Sequence, residues 1–195
     1  MKIFLLTYLS LFFLMAFVWR SFKAWRDTGI NPYRLGVGDT VHSFLGRLYQ
    51  FVLLTIIVTV LIYTFAEDIY AYLTPLAWLE SQTTQGIGVL LLLVSFVWII
   101  IAQIQMGNSW RIGIDSEHET TLVTRGVFSL SRNPIFLGMR ANLLGLFLIM
   151  PNAVTLAVWL LGDVLLQIQV RLEEHLLTTQ GQQYEQFQRQ VRRWL

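Results

Sequence analysis

Polar positions divide the chain into five apolar runs, at residues 3–19, 48–66, 87–106, 135–150 and 153–169. A helix needs about 20 apolar residues to cross a bilayer, with a range of roughly 17–25. The first three runs reach that length. The last two are shorter and are separated only by Pro151 and Asn152. They read as a tight helical hairpin lengthened at its far ends by flanking residues, with a shallow re-entrant pair as the competing arrangement. The expected class is all-α: an integral membrane bundle of about five transmembrane helices with a C-terminal hairpin. In the region 170–195, Tyr184, Phe187, Val191 and Trp194 recur at helical spacing beside Arg189, Arg192 and Arg193. That pattern predicts an amphipathic helix, lying on anionic headgroups or packed on its own protein.

Composition agrees with a bilayer. Of the 195 residues, 55% are hydrophobic and 13% charged, about half the usual roughly 25% charged. So short a chain cannot cover that much apolar surface in water, which excludes an ordinary soluble domain and a disordered chain. There is no cysteine, so disulfides, thiolate metal sites, iron–sulfur clusters and cysteine nucleophiles are excluded.

Placement of charge matters more than the net +2. Twelve of the fourteen basic residues fall on one side of the predicted spans: Arg20, Lys23, Arg26, Arg34 and Arg47, then Arg111, Arg125 and Arg132, then Arg171, Arg189, Arg192 and Arg193. Lys2 is on the other side and Arg140 is inside a span. The loop between the second and third spans holds only Glu67, Asp68 and Glu80. The positive-inside rule makes the rich side cytoplasmic, with the N-terminus outside and the C-terminus inside. The first span lacks a small-residue cleavage site and is expected to be retained. Tyr70, Tyr72 and Trp78 fit an interfacial aromatic belt. The run at 32–36 has no assignable role. Topology accounts for the basic residues, and no nucleic-acid partner is expected.

Most catalytic signatures are missing. His42, His118 and His175 are scattered without metal-ligand spacing, and no metal site is expected. The acidic run at 115–119 reads as a solvated loop. Gly36-Val37-Gly38 and Gly86-Ile87-Gly88 lack the strand–turn–helix context of dinucleotide loops. Chemistry therefore concentrates in the hairpin. Arg140 and Asp163 lie in apolar runs, where a charge costs at least about 2.5–3.5 kcal/mol. They are equidistant from a turn centred between Pro151 and Asn152, at roughly 17 Å for 1.5 Å per residue. An ion pair is expected, either as a clamp on the hairpin or with Arg140 reaching an anionic ligand. By the same mirror Arg132 falls within one turn of Glu173 and Glu174, so two polar clusters converge at one mouth. Gly138, Ala141, Asn142 and Gly145 form a small-residue face, for close packing or for ligand space.

A resemblance emerges at these residues. Leu122-Val123-Thr124-Arg125-Gly126-Val127-Phe128 and Arg132-Asn133-Pro134-Ile135-Phe136-Leu137-Gly138 resemble segments of isoprenylcysteine carboxyl methyltransferases and related phospholipid methyltransferases. Downstream, Glu173-Glu174, then Gly181, Tyr184 and Phe187, then Val191 and Arg193, are similar to the family's tail. The resemblance covers residues 107–195, leaving 1–106 as three N-terminal spans without a recognised signature. It implies S-adenosyl-L-methionine as cofactor, in a cytoplasmic pocket at the hairpin mouth. By motif position Thr121, Leu122, Val123, Phe128, Asn133, Pro134, Ile135 and Phe136 would line the cofactor. Glu173 or Glu174 would hold its amino or ribose groups, Arg132 would position the loop or take a carboxylate, and Tyr184 would complete the site. Glu173 and Glu174, as possible bases, and Arg140 are the candidate catalytic residues. Asn133 replaces the family's His and Phe136 its Tyr, which removes a titratable group and a hydroxyl. Aromatic rings such as Trp110, Phe136 or Tyr184 could face the sulfonium.

The expected function is an integral membrane methyltransferase whose lipophilic substrate (a prenylcysteine-like carboxylate, a lipid amine or a small thiol) enters from the bilayer. The alternatives are a sterol-type reductase using NADPH and a non-catalytic scaffold or small transporter. Oligomeric state stays open.

Overall fold

The computed structural model describes residues 1–29, 40–107, 122–180 and 182–195. Thr121, Trp110, the acidic run 115–119, the segment 32–36, Gly36-Val37-Gly38 and Gly181 lie outside the described residues. Among the described residues the regular structure is helical. Helix α1 runs Lys2–Thr28, with a π-helical stretch at Leu14–Trp19, and ends at Gly29 with φ +70°. Helix α2, Val41–Phe65, opens on a reciprocal cap: Thr40 Oγ1 accepts from the Ser43 amide at 3.2 Å, and Ser43 Oγ from the Thr40 amide at 2.9 Å. Helix α3 is Gln82–Met106, α4 Pro134–Ile149, α5 Ala153–Gln180 and α6 Gln182–Gln190.

Four of these, α1, α2, α3 and α5, are long and apolar enough to cross a membrane. Helix α4 has 16 residues, about 24 Å at 1.5 Å per residue, and so is the short member of the hairpin. Its partner continues well beyond residue 169, where the apolar run stops, and Glu173 and Glu174 are helical. The amphipathic tail helix is correspondingly confined to α6. Tyr184 and Phe187 on it are buried, so it packs on its own protein. Trp194 lies beyond its end.

The small-residue face of α4 is used for close packing on α3. A Cβ at Gly138 would lie 2.5 Å from Ile99 Cγ1, and one at Gly145 3.0 Å from the Gly88 carbonyl oxygen. Both distances are shorter than van der Waals contact, so these positions need glycine. Asn142 on the same face donates to Ser95 Oγ at 3.3 Å and to the Tyr8 hydroxyl. Tyr8 in turn donates to the Leu92 carbonyl at 3.0 Å. This polar chain ties α1, α3 and α4 within a core of Leu5, Val60, Leu92, Leu146 and Ile149. On the other flank, Leu45 and Val52 of α2 pack against Val158 and Leu165 of α5. Leu54, Leu90 and Ile104 remain exposed, as expected of residues that face lipid.

The loop between α2 and α3 is pinned to the hairpin turn. Pro75 bridges to Asn152, Leu76 N donates to the Pro151 carbonyl at 2.8 Å, and Ala153 N to that of Thr74 at 3.2 Å. Tyr72 and Trp78 are 86% and 80% exposed, as an interfacial belt requires. Tyr70 departs from that expectation: it is half-buried, and its hydroxyl accepts from Asn152 Nδ2 at 3.2 Å.

Candidate active site

The site begins with a glycine. Gly126 has φ +66°, and a Cβ there would lie 2.4 Å from the Gln105 side-chain amide. That close approach lets Gln105 Oε1 accept from the Val127 amide at 2.9 Å, which docks the segment on α3. The following 3-10 turn, Gly126–Ser129, turns Phe128 inward. Phe128 then packs with Ala102, Tyr184 and Phe187, bordered by Leu122, Val123, Val127, Ile135, Leu177 and Val191. Motif positions far apart in sequence thus meet in one apolar cluster joining α3, α6 and the start of α4. Burial pushes the Tyr184 hydroxyl up to about 12, so it stays neutral.

Above this cluster sits a polar knot centred on Glu174, whose side chain is 4% exposed. Arg132 reaches it through Nε at 3.1 Å and Nη2 at 3.3 Å. Asn133 Nδ2 donates at 2.8 Å. Arg193 adds Nε at 2.9 Å and Nη2 at 2.8 Å. A carboxylate offers about four lone-pair sites, so these five contacts saturate it. Arg132 also binds the tail: Nη1 donates to the carbonyls of Gln188 at 3.0 Å and Val191 at 2.9 Å. Its backbone amide donates to Arg192 at 3.0 Å. Ser131 Oγ donates to the Arg193 carbonyl at 3.1 Å. The hydrogen bonds to Glu174 hold the Arg193 guanidinium even more firmly charged than an ordinary arginine.

The two adjacent glutamates part company. Glu173 accepts from Gln169 Nε2 at 2.9 Å and lies within electrostatic reach of Tyr49 on α2. The buried Tyr49 hydroxyl has no hydrogen-bond partner among the described residues. Pro134 is buried at the start of α4, its carbonyl accepting from Trp98 Nε1 at 2.8 Å. Phe136 is half-buried and joins neither the apolar cluster nor the knot.

Deeper in the hairpin, Arg140 Nε donates to Asp163 Oδ1 at 2.5 Å, as the mirror argument requires. Gln167 Nε2 donates to the other carboxylate oxygen at 2.7 Å. The Trp194 ring covers the Arg140 guanidinium, 4.5 Å from carbon to ring centroid. Sequence reasoning missed Gln167, Tyr49 and this use of Trp194. Only Gln167 had a signal, four residues beyond Asp163 on the same helix face.

Beside the knot opens a cavity of about 470 Å³ lined by Arg132, Thr178, Glu185, Gln188, Arg189 and Arg193. Its walls carry both signs of charge, and it is a broad, open and mostly polar depression.

A family model described as phospholipid methyltransferase matches residues 83–183. The match begins in α3, ahead of the motif region at 107, and runs through the hairpin to the head of α6. A search of curated proteins returns no match to this chain. The matched segment is just over half of the 195 residues and contains Gly126, Arg132, Asn133 and Glu174, and on this the chain belongs to the phospholipid methyltransferase family.

Proposed function

We propose that this membrane methyltransferase uses S-adenosylmethionine, held at the hairpin mouth, to methylate a lipophilic acceptor that arrives through the bilayer. The observation that carries the reading is the mixed-charge cavity beside the Arg132–Asn133–Glu174–Arg193 knot, where Arg132 and Thr178 of the family-matched segment meet Glu185, Gln188, Arg189 and Arg193 of the tail. Its donor set suits a zwitterionic nucleoside. Arg189 and Arg193 can take a carboxylate, and Glu185 an ammonium or ribose hydroxyls. A multiply anionic dinucleotide such as NADPH suits the walls less well, because Glu185 lines them and Glu174 lies just behind.

When bound, the cofactor would supply a methyl group already activated as a sulfonium, leaving the protein to align and to exclude water. Glu174 is then a positioning residue: its lone pairs are spent on fixing Arg132, Asn133 and Arg193. Asn133 cannot titrate, and its amide is committed to Glu174. Glu173, bonded among the described residues only to neutral Gln169, is the carboxylate available to take a proton from an amine or thiol acceptor; a carboxylate acceptor needs no base. By motif position Leu122, Val123, Pro134, Ile135 and Phe136 remain proposed for the apolar side of the cofactor, although none of them lines the cavity of about 470 Å³. Arg140 acts through the hairpin, clamped by Asp163 and Trp194. The reading puts the mouth on the cytoplasmic side, because the arginines gather there.

Calorimetric titration of the purified protein with S-adenosylhomocysteine tests this. Saturable binding is expected, weakened about tenfold or more by Glu185→Gln for loss of a charged hydrogen bond and left unchanged by Glu119→Gln. Binding of NADPH without S-adenosylhomocysteine binding would overturn the reading in favour of a reductase. Reporters fused after Ala66 and after Met106 should read outside and inside.

A further inference from the structure

The end of the bundle away from the arginine-rich mouth holds a second cavity, of about 400 Å³, lined by Lys2, Tyr63, Glu67, Tyr70, Glu80 and Gln85 among others. Its walls come from α1, the end of α2, the following loop and the start of α3. The loop is fixed in place by its backbone hydrogen bonds to the hairpin turn at Pro151 and Ala153. The Tyr70 ring is oriented by fully buried Asn152, whose Nδ2 donates to its hydroxyl at 3.2 Å. Against it stands Tyr63, with ring centroids 5.1 Å apart and planes crossed at 68°. Two crossed aromatic rings offer their electron-rich faces to a cation.

Three charged side chains stand around those rings: Lys2, Glu67 and Glu80 all act on Tyr63, and Glu80 also acts on Tyr70. Glu80 is exposed and acts electrostatically on both tyrosines, and no hydrogen bond or ion pair engages its carboxylate among the described residues. Lys2 and Glu67 form an ion pair on the Tyr63 side of the lining, with side chains 38% and 75% exposed. Such an exposed pair contributes little and exchanges readily, so the Lys2 ammonium can turn to another anion. Two carboxylates against one lysine make the lining net negative, which disfavours a purely anionic guest. The same loop exposes Tyr72 and Trp78, side chains that settle at headgroup depth. The cavity therefore opens where lipid headgroups are the most abundant solutes.

We propose that this cavity is a lipid site, distinct from the methyltransferase centre, in which the Tyr63–Tyr70 pair and Glu80 take the cationic end of a zwitterionic phospholipid headgroup and Lys2 its phosphate. Only the headgroup enters; the acyl chains stay in the bilayer along α2 and α3. The site does not depend on the cofactor reading.

Native mass spectrometry of the detergent-purified full chain tests it, with phosphatidylcholine, phosphatidylglycerol and free choline as the probes. Phosphatidylcholine should be retained about fivefold more tightly than phosphatidylglycerol, and Glu80→Gln and Tyr63→Leu should each weaken it about fivefold, in the range of a partly desolvated cation–π contact. Asp68→Asn, on the same loop, should change nothing. S-adenosylhomocysteine affinity should be the same in Glu80→Gln as in the unaltered chain, so failure here and failure of the methyltransferase reading are separate results. Equal retention of the two lipids, or unchanged retention in both Glu80→Gln and Tyr63→Leu, would overturn the proposal. Free choline bound as tightly as the lipid would overturn the lipid as the source and leave a soluble quaternary amine as the guest.

Discussion

The two ends of the α4–α5 hairpin are both polar, yet they are closed by opposite means. At the turn, short side chains satisfy one another within five residues. Thr155 N donates to Asn152 Oδ1 at 3.0 Å, Asn152 N to Thr155 Oγ1 at 3.2 Å, and Thr155 Oγ1 to the Met150 carbonyl at 2.5 Å. At the mouth, one carboxylate gathers Arg132, Asn133 and Arg193 from positions 42, 41 and 19 residues away. The side chains that close the turn are local, and the α2–α3 loop adds mainly backbone pairing and the Tyr70 contact to it. The mouth is a long-range junction, so losing its centre should release the start of α4, the knot and the tail together.

The sharpest test is Glu174→Ala. It leaves two guanidiniums without their carboxylate and should destabilise by about 3–5 kcal/mol, as for a broken buried pair, read by thermal unfolding in detergent. The next effect is at mid-depth. Arg140→Ala and Asp163→Ala should each cost about 2.5–3.5 kcal/mol, the cost of an unpaired charge in the apolar layer. The double mutant should be more stable than the sum of the singles; strict additivity would mean that the pair does no work.

Asn152→Ala, which removes a helix cap, should cost only about 1–2 kcal/mol. A loss equal to that of Glu174→Ala would erase the contrast between the two ends. The smallest effect concerns pH. The Tyr184 hydroxyl is raised from 10.0 to about 12 in the fold, so the unfolded chain ionises first. Stability should be flat below about 10 and fall as pH climbs to about 12, seen as earlier protease cleavage around α6. A flat response across that window would mean that Tyr184 is not buried.

Much of this arrangement is legible in the sequence. Equal distance from Pro151-Asn152 paired Arg140 with Asp163 and brought Arg132 to the glutamates, because an antiparallel hairpin is a mirror. The small face of α4 was visible too, though only the Gly138 and Gly145 contacts decide between packing and ligand space. What failed has physical causes. The charged stretch Arg171, Glu173, Glu174 and His175 breaks the apolar pattern at 170 but not the helix, since Arg and Glu are good helix formers and Arg171 and His175 point to the exposed side. Trp194 continues the spacing of Tyr184, Phe187 and Val191, yet the chain leaves the helix after Gln190, and the ring turns to Arg140. Tyr49 is one of six hydroxyl-bearing residues on α2, and nothing in the sequence sets it apart from Ser43, Thr55, Thr59, Tyr63 and Thr64.

The Glu174 knot also imposes a timetable on synthesis. Arg132 and Glu174 are 42 residues apart, and Arg193 follows 19 residues later. At a translation rate of about 5–20 residues per second, Arg132 waits roughly 2–8 s for its carboxylate, and the carboxylate a further 1–4 s for Arg193. During that interval the nascent hairpin presents unsatisfied charge at the membrane surface. The chain that lacks Arg193 is thus distinguishable from one that carries it to any surveillance system that reads such charge, and a ribosome stalled within α6 would hold a hairpin that is made but a mouth that has never closed.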